Sequence, residues 1–264
     1  MESTLSLAFA DLEGEVGLFL GYGRGAAFDD PAWSTPQQNA IDSCVKSGLR
    51  QFYFPTAVEG GSPYDWSFLK PVATLSLAGA ANVLPLPDDY GSFEGQITIS
   101  TSGGNQYWPV ALVGIGQVYA AQARQPTTTG RPEICCEEPI KGTTPQAGQR
   151  FQLRFWPTAD TAYTLQFQYY LLPEALSGAS PFTYGGMAHA ETILESCLAI
   201  AEQRLDDSST VHSMKFAERL LASIGVDRRS KPQTLGQNLD RSDWIHRGYR
   251  DRQFNGITYK GVSY

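Results

Sequence analysis

The stretch FQLRFWPTADTAYTLQFQYYLLPEAL, residues 151–176, carries the reading of the fold. Phe151, Leu153 and Phe155 alternate with Gln152 and Arg154. After the turn PTADT, Tyr163, Leu165, Phe167 and Tyr169 alternate with Thr164, Gln166 and Gln168. A period of two belongs to a strand with one covered face. Two such runs joined by a short turn predict an antiparallel hairpin with one core face and one wet face. Pro173 ends the pattern and helical sequence follows. Trp156 and the tyrosines offer stacking surfaces, so the aromatic face is either core or the wall of a carbohydrate site. Alternating aromatics favour core.

Upstream of this stretch the same period recurs. VATLSL (72–77) and NVLPLP (82–87) are short predicted strands around the turn AGAA. QITIS, WPVALVG and EICCEE follow, separated by Gly-, Pro- and Thr-rich turns. IGQVYAAQAR (115–124) breaks the rhythm and predicts a short helix crossing the sheet.

Helical spacing flanks this β region. Leu5, Phe9, Leu12, Val16 and Leu20 predict a helix over 4–20, ended by GYGRG. That glycine loop follows a helix and opens no strand–loop–helix unit, so it is a weak phosphate site. In STPQQNAIDSCVKSGLRQFYFP, Thr35 is the expected N-cap, Pro36 the first helical residue and Gln38 the capping-box partner. Ile41, Cys44, Val45 and Leu49 form its apolar stripe, and Gly48 weakens its end. GGMAHAETILESCLAIAEQRL predicts a helix with Ala190, Ile193, Leu194, Cys197, Ala201 and Leu205 inward and Glu191, Glu195 and Glu202 off that face. VHSMKFAERLLASIG predicts its antiparallel partner, with Met214, Ala217, Leu221 and Ile224 inward and Gly225 as the stop.

The expected class is α+β: a helical bundle from N- and C-terminal helices, an inserted antiparallel β-subdomain and an extended C-terminal arm. The expected parts are 1–60 (N-terminal helices), 61–175 (β-subdomain), 176–226 (helical hairpin) and 227–264 (arm). From Val226 the sequence is polar and basic with no sustained period, and such a segment does not fold alone. It still carries Trp244, Ile245, Arg247, Tyr249, Arg250, Phe254, Tyr259 and Tyr264, residue types that anchor interfaces. These are the candidate partner-binding residues of an arm that orders on a partner.

Charge divides along the chain. Residues 1–211 hold 10 basic and 22 acidic side chains, whereas 212–264 hold 10 basic and 5 acidic. The net charge of −7 argues against a nucleic-acid binder by bulk charge. An acidic body either lets DNA phosphates pass without holding them or is simply a solvated face. No run approaches the roughly 20 apolar residues of a membrane helix, and MESTLSLAFADLEGEVG lacks the basic start of a signal peptide.

The chemistry-bearing residues form no set. Cys44, Cys135, Cys136 and Cys197 make no Cys-x-x-Cys, and buried free thiols are expected. His189 opens His-Ala-Glu but lacks the downstream Pro-Cys-x-x-Cys of a zinc deaminase, and His212 and His246 complete no ligand set. Neither a Gly-x-Ser-x-Gly elbow nor a Walker A motif occurs. The acid pairs Asp29–Asp30, Asp88–Asp89 and Glu137–Glu138 are adjacent in sequence, which does not place them across a cleft. The expectation is no catalytic residue, no cofactor and no metal.

Four motifs taken in order resemble the head-to-tail adaptor proteins of tailed bacteriophages. They are EVGLFLGYGRG with WSTPQQNAIDSCVKSGLRQFYFP; YDWSFLKPVATLSL with LPDDYGSFEGQITIS; the opening stretch; and HAETILESCLAIAEQRL. The resemblance implies a virion neck protein assembled in the host cytoplasm as a homo-oligomeric ring, commonly dodecameric. Its partners would be the portal and the tail, nozzle or stopper proteins, with double-stranded DNA passing through without sequence-specific binding and no membrane involved. The helices would build the ring and the arm would reach the portal. A carbohydrate-binding or tail-fibre-associated β-module is the alternative.

Overall fold

The computed structural model describes residues 5–56, 63–100, 108–141, 148, 150–206, 211–230, 258–259 and 262–263. The chain is mixed α+β. Two compact units are present, Met1–Arg228 and Arg229–Tyr264.

The first unit opens with α1 (Phe9–Phe19) and α2 (Thr35–Tyr53). The first helix is shorter than the period predicts. Ala8 is its N-cap, and the backbone N–H of Ala8 donates to Asp11 Oδ2 at 2.8 Å. Leu5 therefore lies outside the helix and is exposed. The α2 cap sits one residue earlier than expected: Ser34 is the N-cap, and its N–H donates to Gln37 Oε1 at 2.9 Å. Thr35 and Gln38 are the wrong pair by one position, because Ser-Thr offers two equivalent capping hydroxyls.

Glycines set how closely these helices pack. A Cβ on Gly17 would lie 2.7 Å from the Gly23 carbonyl oxygen and 2.8 Å from the Trp33 ring. The loop after α1 thus folds back over the helix, and Trp33 Nε1 donates to the Gly23 carbonyl at 3.1 Å. A Cβ on Gly48 would lie 2.6 Å from Cys197 Cα. Gly48 is therefore the point of closest approach between α2 and α4 (Ala190–Asp206), rather than a weak helix end.

The central helix is α4, packed against α1, α2 and α5 (Val211–Ser230). Glu195 and Glu202, expected on the wet side, are buried. Glu202 closes the α4–α5 turn: its carboxylate accepts the N–H groups of Val211 (3.0 Å) and His212 (3.1 Å). These are orphan donors of the first turn of α5, where a carboxylate is favoured. Glu195 Oε2 lies 2.7 Å from His212 Nδ1. Thr192 and Ser223 hydroxyls share a hydrogen bond of 2.7 Å further along the antiparallel pair. Leu205, expected inward, is exposed at the end of α4.

Two sheets follow. The first has the order β1 (Val72–Leu77), β9 (Tyr163–Leu171), β3 (Tyr90–Ile99), all antiparallel. The second has the order β2 (Val83–Pro85), β7 (Arg150–Trp156), β6 (Ile134–Ile140), β4 (Ala111–Leu112), with β4 parallel to β6. A further short pair joins β5 (Thr129–Gly130) and β8 (Thr158–Ala159) in parallel.

The opening stretch is thus no hairpin. Its two halves, β7 and β9, lie in different sheets. Each pairs instead with one half of 72–85: Leu77 opposes Tyr163 in one sheet, and Leu84 opposes Leu153 in the other. Both segments pass between the sheets together. Where they cross, the Ala80 N–H donates to the Ala159 carbonyl at 2.8 Å and the Ala159 N–H to the Ala81 carbonyl at 3.1 Å. For the same reason β1 and β2 do not pair around AGAA. The cis Trp156–Pro157 bond lies at the start of the crossing.

The faces agree with the alternation. Leu153 and Phe155 are buried, as are Tyr163, Leu165, Phe167, Tyr169 and Leu171, all in one core with the helices. Tyr90 of the first sheet packs on Phe151 of the second with ring centroids 5.6 Å apart. Gln152 and Arg154 do not face water as expected, because α3 (Ile115–Arg124) covers that side of the second sheet. Arg154 Nε donates to Glu138 Oε2 at 2.9 Å, and the Tyr119 hydroxyl of α3 donates to Glu138 Oε1 at 2.7 Å. That cover also explains why Cys135 and Cys136, pointing to opposite faces, are both buried.

Trp66 joins the helices to the sheets. It is fully buried, its Nε1 donates to the Phe52 carbonyl at 3.0 Å, and its ring centroid is 4.7 Å from that of Phe52. A fully buried large apolar side chain contributes on the order of 1.5–3 kcal/mol. Asp227 ties α5 to the same region, accepting the Tyr64 hydroxyl at 2.6 Å and the Ser67 N–H at 3.2 Å. That anchor carries α5 through Gly225, the predicted stop, to Ser230.

Candidate interaction surfaces

The predicted partner-binding residues lie in the second unit. Trp244, Ile245, Arg247, Tyr249, Arg250, Phe254 and Tyr264 fall outside the described residues. Tyr259 belongs to β10 (Thr258–Tyr259), which pairs antiparallel with β11 (Val262–Ser263). Thr258 opposes Ser263 and Tyr259 opposes Val262.

A surface that the sequence reading missed lies on α5. Its buried side is Phe216, Leu220, Ser223, Ile224 and Asp227. Met214, Ala217 and Leu221, expected inward, face out; Met214 is 69% and Leu221 46% exposed. Both sets have helical spacing, so periodicity alone does not choose between them. The polar members decide: Ser223 meets Thr192 and Asp227 meets Tyr64 and Ser67, which turns Phe216 and Leu220 inward. The outward residues, with Val211 at 51% exposure, leave an apolar stripe along α5.

Asp30, Asp88, Asp89, His189 and the four cysteines have structural surroundings. Asp30 accepts the Arg24 N–H at 2.7 Å. Asp88 pairs with Arg150 at 3.3 Å, and Asp89 accepts the Tyr169 hydroxyl at 3.2 Å. His189 is buried among the Phe52, Trp66 and Phe68 rings, and burial lowers its pKa, so it is neutral. All four cysteines are free and buried, and burial pushes the Cys135 and Cys197 thiols up to about 12. No group of three or more metal-ligating side chains occurs among the described residues. Tyr163 and Tyr169 are core residues, so the aromatic face of the opening stretch is no exposed sugar platform. No described helix is long and apolar enough to cross a membrane.

The chain thus combines an α+β body, an exposed apolar stripe on α5 and a second, basic C-terminal unit. The family model for the SU10 adaptor protein matches residues 8–238, and the chain belongs to that family. It is a structural head-to-tail adaptor of a bacteriophage. None of the curated proteins compared with the chain matches it.

Proposed function

We propose that this adaptor assembles as a homo-oligomeric ring, dodecameric in the mature particle, under the portal. The ring joins the capsid to the tail or a stopper and forms part of the DNA channel. The single observation that carries the assembly reading is the α5 stripe. An apolar helix face left in water is costly, and a ring requires a heterologous contact that such a face supplies. The acidic body, 10 basic against 22 acidic side chains over 1–211, suits a channel wall that repels phosphates.

In this reading the chain has four parts: N-terminal bundle helices (1–60), the β-subdomain (61–175), the helical hairpin (176–226) and the arm (227–264). The arm docks on the portal through Trp244, Ile245, Arg247, Tyr249, Arg250, Phe254, Tyr259 and Tyr264. The test is reconstitution with the cognate portal, followed by mass photometry and electron microscopy. The wild-type chain is expected to form rings on the portal. Met214→Asp with Leu221→Asp is expected to abolish rings and leave the monomer folded. Removing 231–264 is expected to weaken portal docking at least tenfold, about 1.4 kcal/mol. Rings formed equally by the stripe variant, or docking unchanged without the arm, would count against the corresponding half of the proposal.

A further inference from the structure

Between α1 and α2 lies a polar group that the adaptor role does not explain. Gln38 stands between two carboxylates. Its Nε2 donates to Glu13 Oε1 of α1 at 2.5 Å and to Asp42 Oδ1, one turn further along α2, at 2.8 Å. One amide nitrogen thus holds two acids together. Lys46, 3.6 Å from Asp42, is the nearby cation that offsets part of their charge. Other charged groups on the elements around α1 are engaged elsewhere. Glu15 pairs with Arg24 at 2.6 Å. On α4, Glu191 pairs with Arg219, Glu195 with His212 and Lys215, and Glu202 caps α5. Arg204 donates to the Ser43 hydroxyl at 2.9 Å.

We propose that Glu13, Gln38 and Asp42 form a proton-dependent clasp between α1 and α2, closed while the carboxyl pair holds one proton and loosened when that proton leaves. With the proton present, one carboxyl O–H donates to the opposing carboxylate and Gln38 donates to both. Without it, two like charges face one amide and Lys46 alone. Burial, then the hydrogen bond and charge of Asp42, raise Glu13 to about 7 from an ordinary 4.5, against the Gln38 amide and Lys46, which favour its charged form. The proton belongs to the pair.

The sign follows from linkage. The folded state takes up this proton at higher pH than the unfolded chain, whose carboxyl titrates near 4.5. The clasp contribution is therefore complete below about 4.5, declines as the pH rises and is lost above about 7. The helix it releases also packs on α4, and Phe19 at its end meets the His212 ring of α5 edge-on at 5.1 Å. Loosening α1 thus reaches the hairpin that bears the exposed stripe.

The experiment is thermal unfolding of the full chain at pH 5.5 to 8.5, for wild type, Glu13→Gln and Asp42→Asn, beside a carboxyl-carbon NMR titration. Wild-type Tm is expected to fall about 3–6 °C more across this range than that of Glu13→Gln, whose neutral amide replaces the protonated acid. In Asp42→Asn the Glu13 midpoint is expected to drop by about one pH unit or more. A Glu13 midpoint near 4.5 in wild type, or variants that keep the wild-type slope, would overturn the clasp. If Glu13→Gln does not fold, the wild-type and Asp42→Asn midpoints decide alone.

Discussion

Gly48 and Glu202 show how single positions hold the helical part. With a Cβ 2.6 Å from Cys197 Cα and 2.7 Å from its backbone nitrogen, an alanine at 48 meets main chain that cannot rotate away. Gly48→Ala is expected to destabilise by about 1–3 kcal/mol in urea unfolding, despite its better helix propensity. An increase in stability would show that α2 and α4 separate at little cost. Ser196 Oγ also donates to the Gly48 carbonyl at 2.8 Å, so any separation strains a buried hydrogen bond. Glu202 caps α5 from outside that helix, and Glu202→Ala leaves the N–H groups of Val211, His212 and Ser213 without this acceptor. A loss of about 0.5–2 kcal/mol is expected, with fraying of residues 211–214 visible as faster amide exchange.

At the scale of elements, α5 is where periodicity misleads. Its two apolar stripes, Met214/Ala217/Leu221 and Phe216/Leu220/Ile224, are interleaved on one helix. Only the second is buried. Phe216→Ala and Leu220→Ala are expected to cost about 2–5 kcal/mol each, whereas Met214→Ser and Leu221→Ser stay within about 0.5 kcal/mol in the monomer. Equal losses on both faces would mean that the stripe is covered within the monomer. The strands present a related problem. Residues 151–156 and 163–171 have the alternation of a hairpin, yet each has its partner in 72–85. Alternation specifies which side chains share a face, and a strand looks the same whichever neighbour it takes.

Across the whole Met1–Arg228 unit, one core links helices and both sheets; Cys44, Cys135 and Cys197 lie within it, and Cys136 is buried on the other face of the second sheet. Reaction with a thiol reagent at pH 8 is expected to require global opening, because Cys135 and Cys197 titrate only near about 12 and none of the four is exposed. Fast labelling of any cysteine in native buffer would show that the sheets or the α2–α4 contact open independently. The single core also means that the β-subdomain is no appendage: Trp66, fully buried, bonds to the Phe52 carbonyl of α2 and packs beside His189 at 5.3 Å.

By itself the sequence determined the kinds of element and most of their faces. The helix over 115–124 and the strand over 72–77 stand at their predicted bounds, and of the residues that the alternation turned inward, Leu153, Phe155, Tyr163, Leu165, Phe167 and Tyr169 are buried and Phe151 half-buried. The order of the motifs carried the adaptor family. Tertiary structure alone decided the pairing of the strands, the inward face of α5 and the burial of Glu195 and Glu202. These depend on contacts between residues as distant as Tyr64 and Asp227, or Gly48 and Ser196. A local period records only whether a position is covered. What covers it is settled when remote segments compete for the same face, and buried polar groups such as Ser223 and Asp227 admit only the arrangement that satisfies their hydrogen bonds.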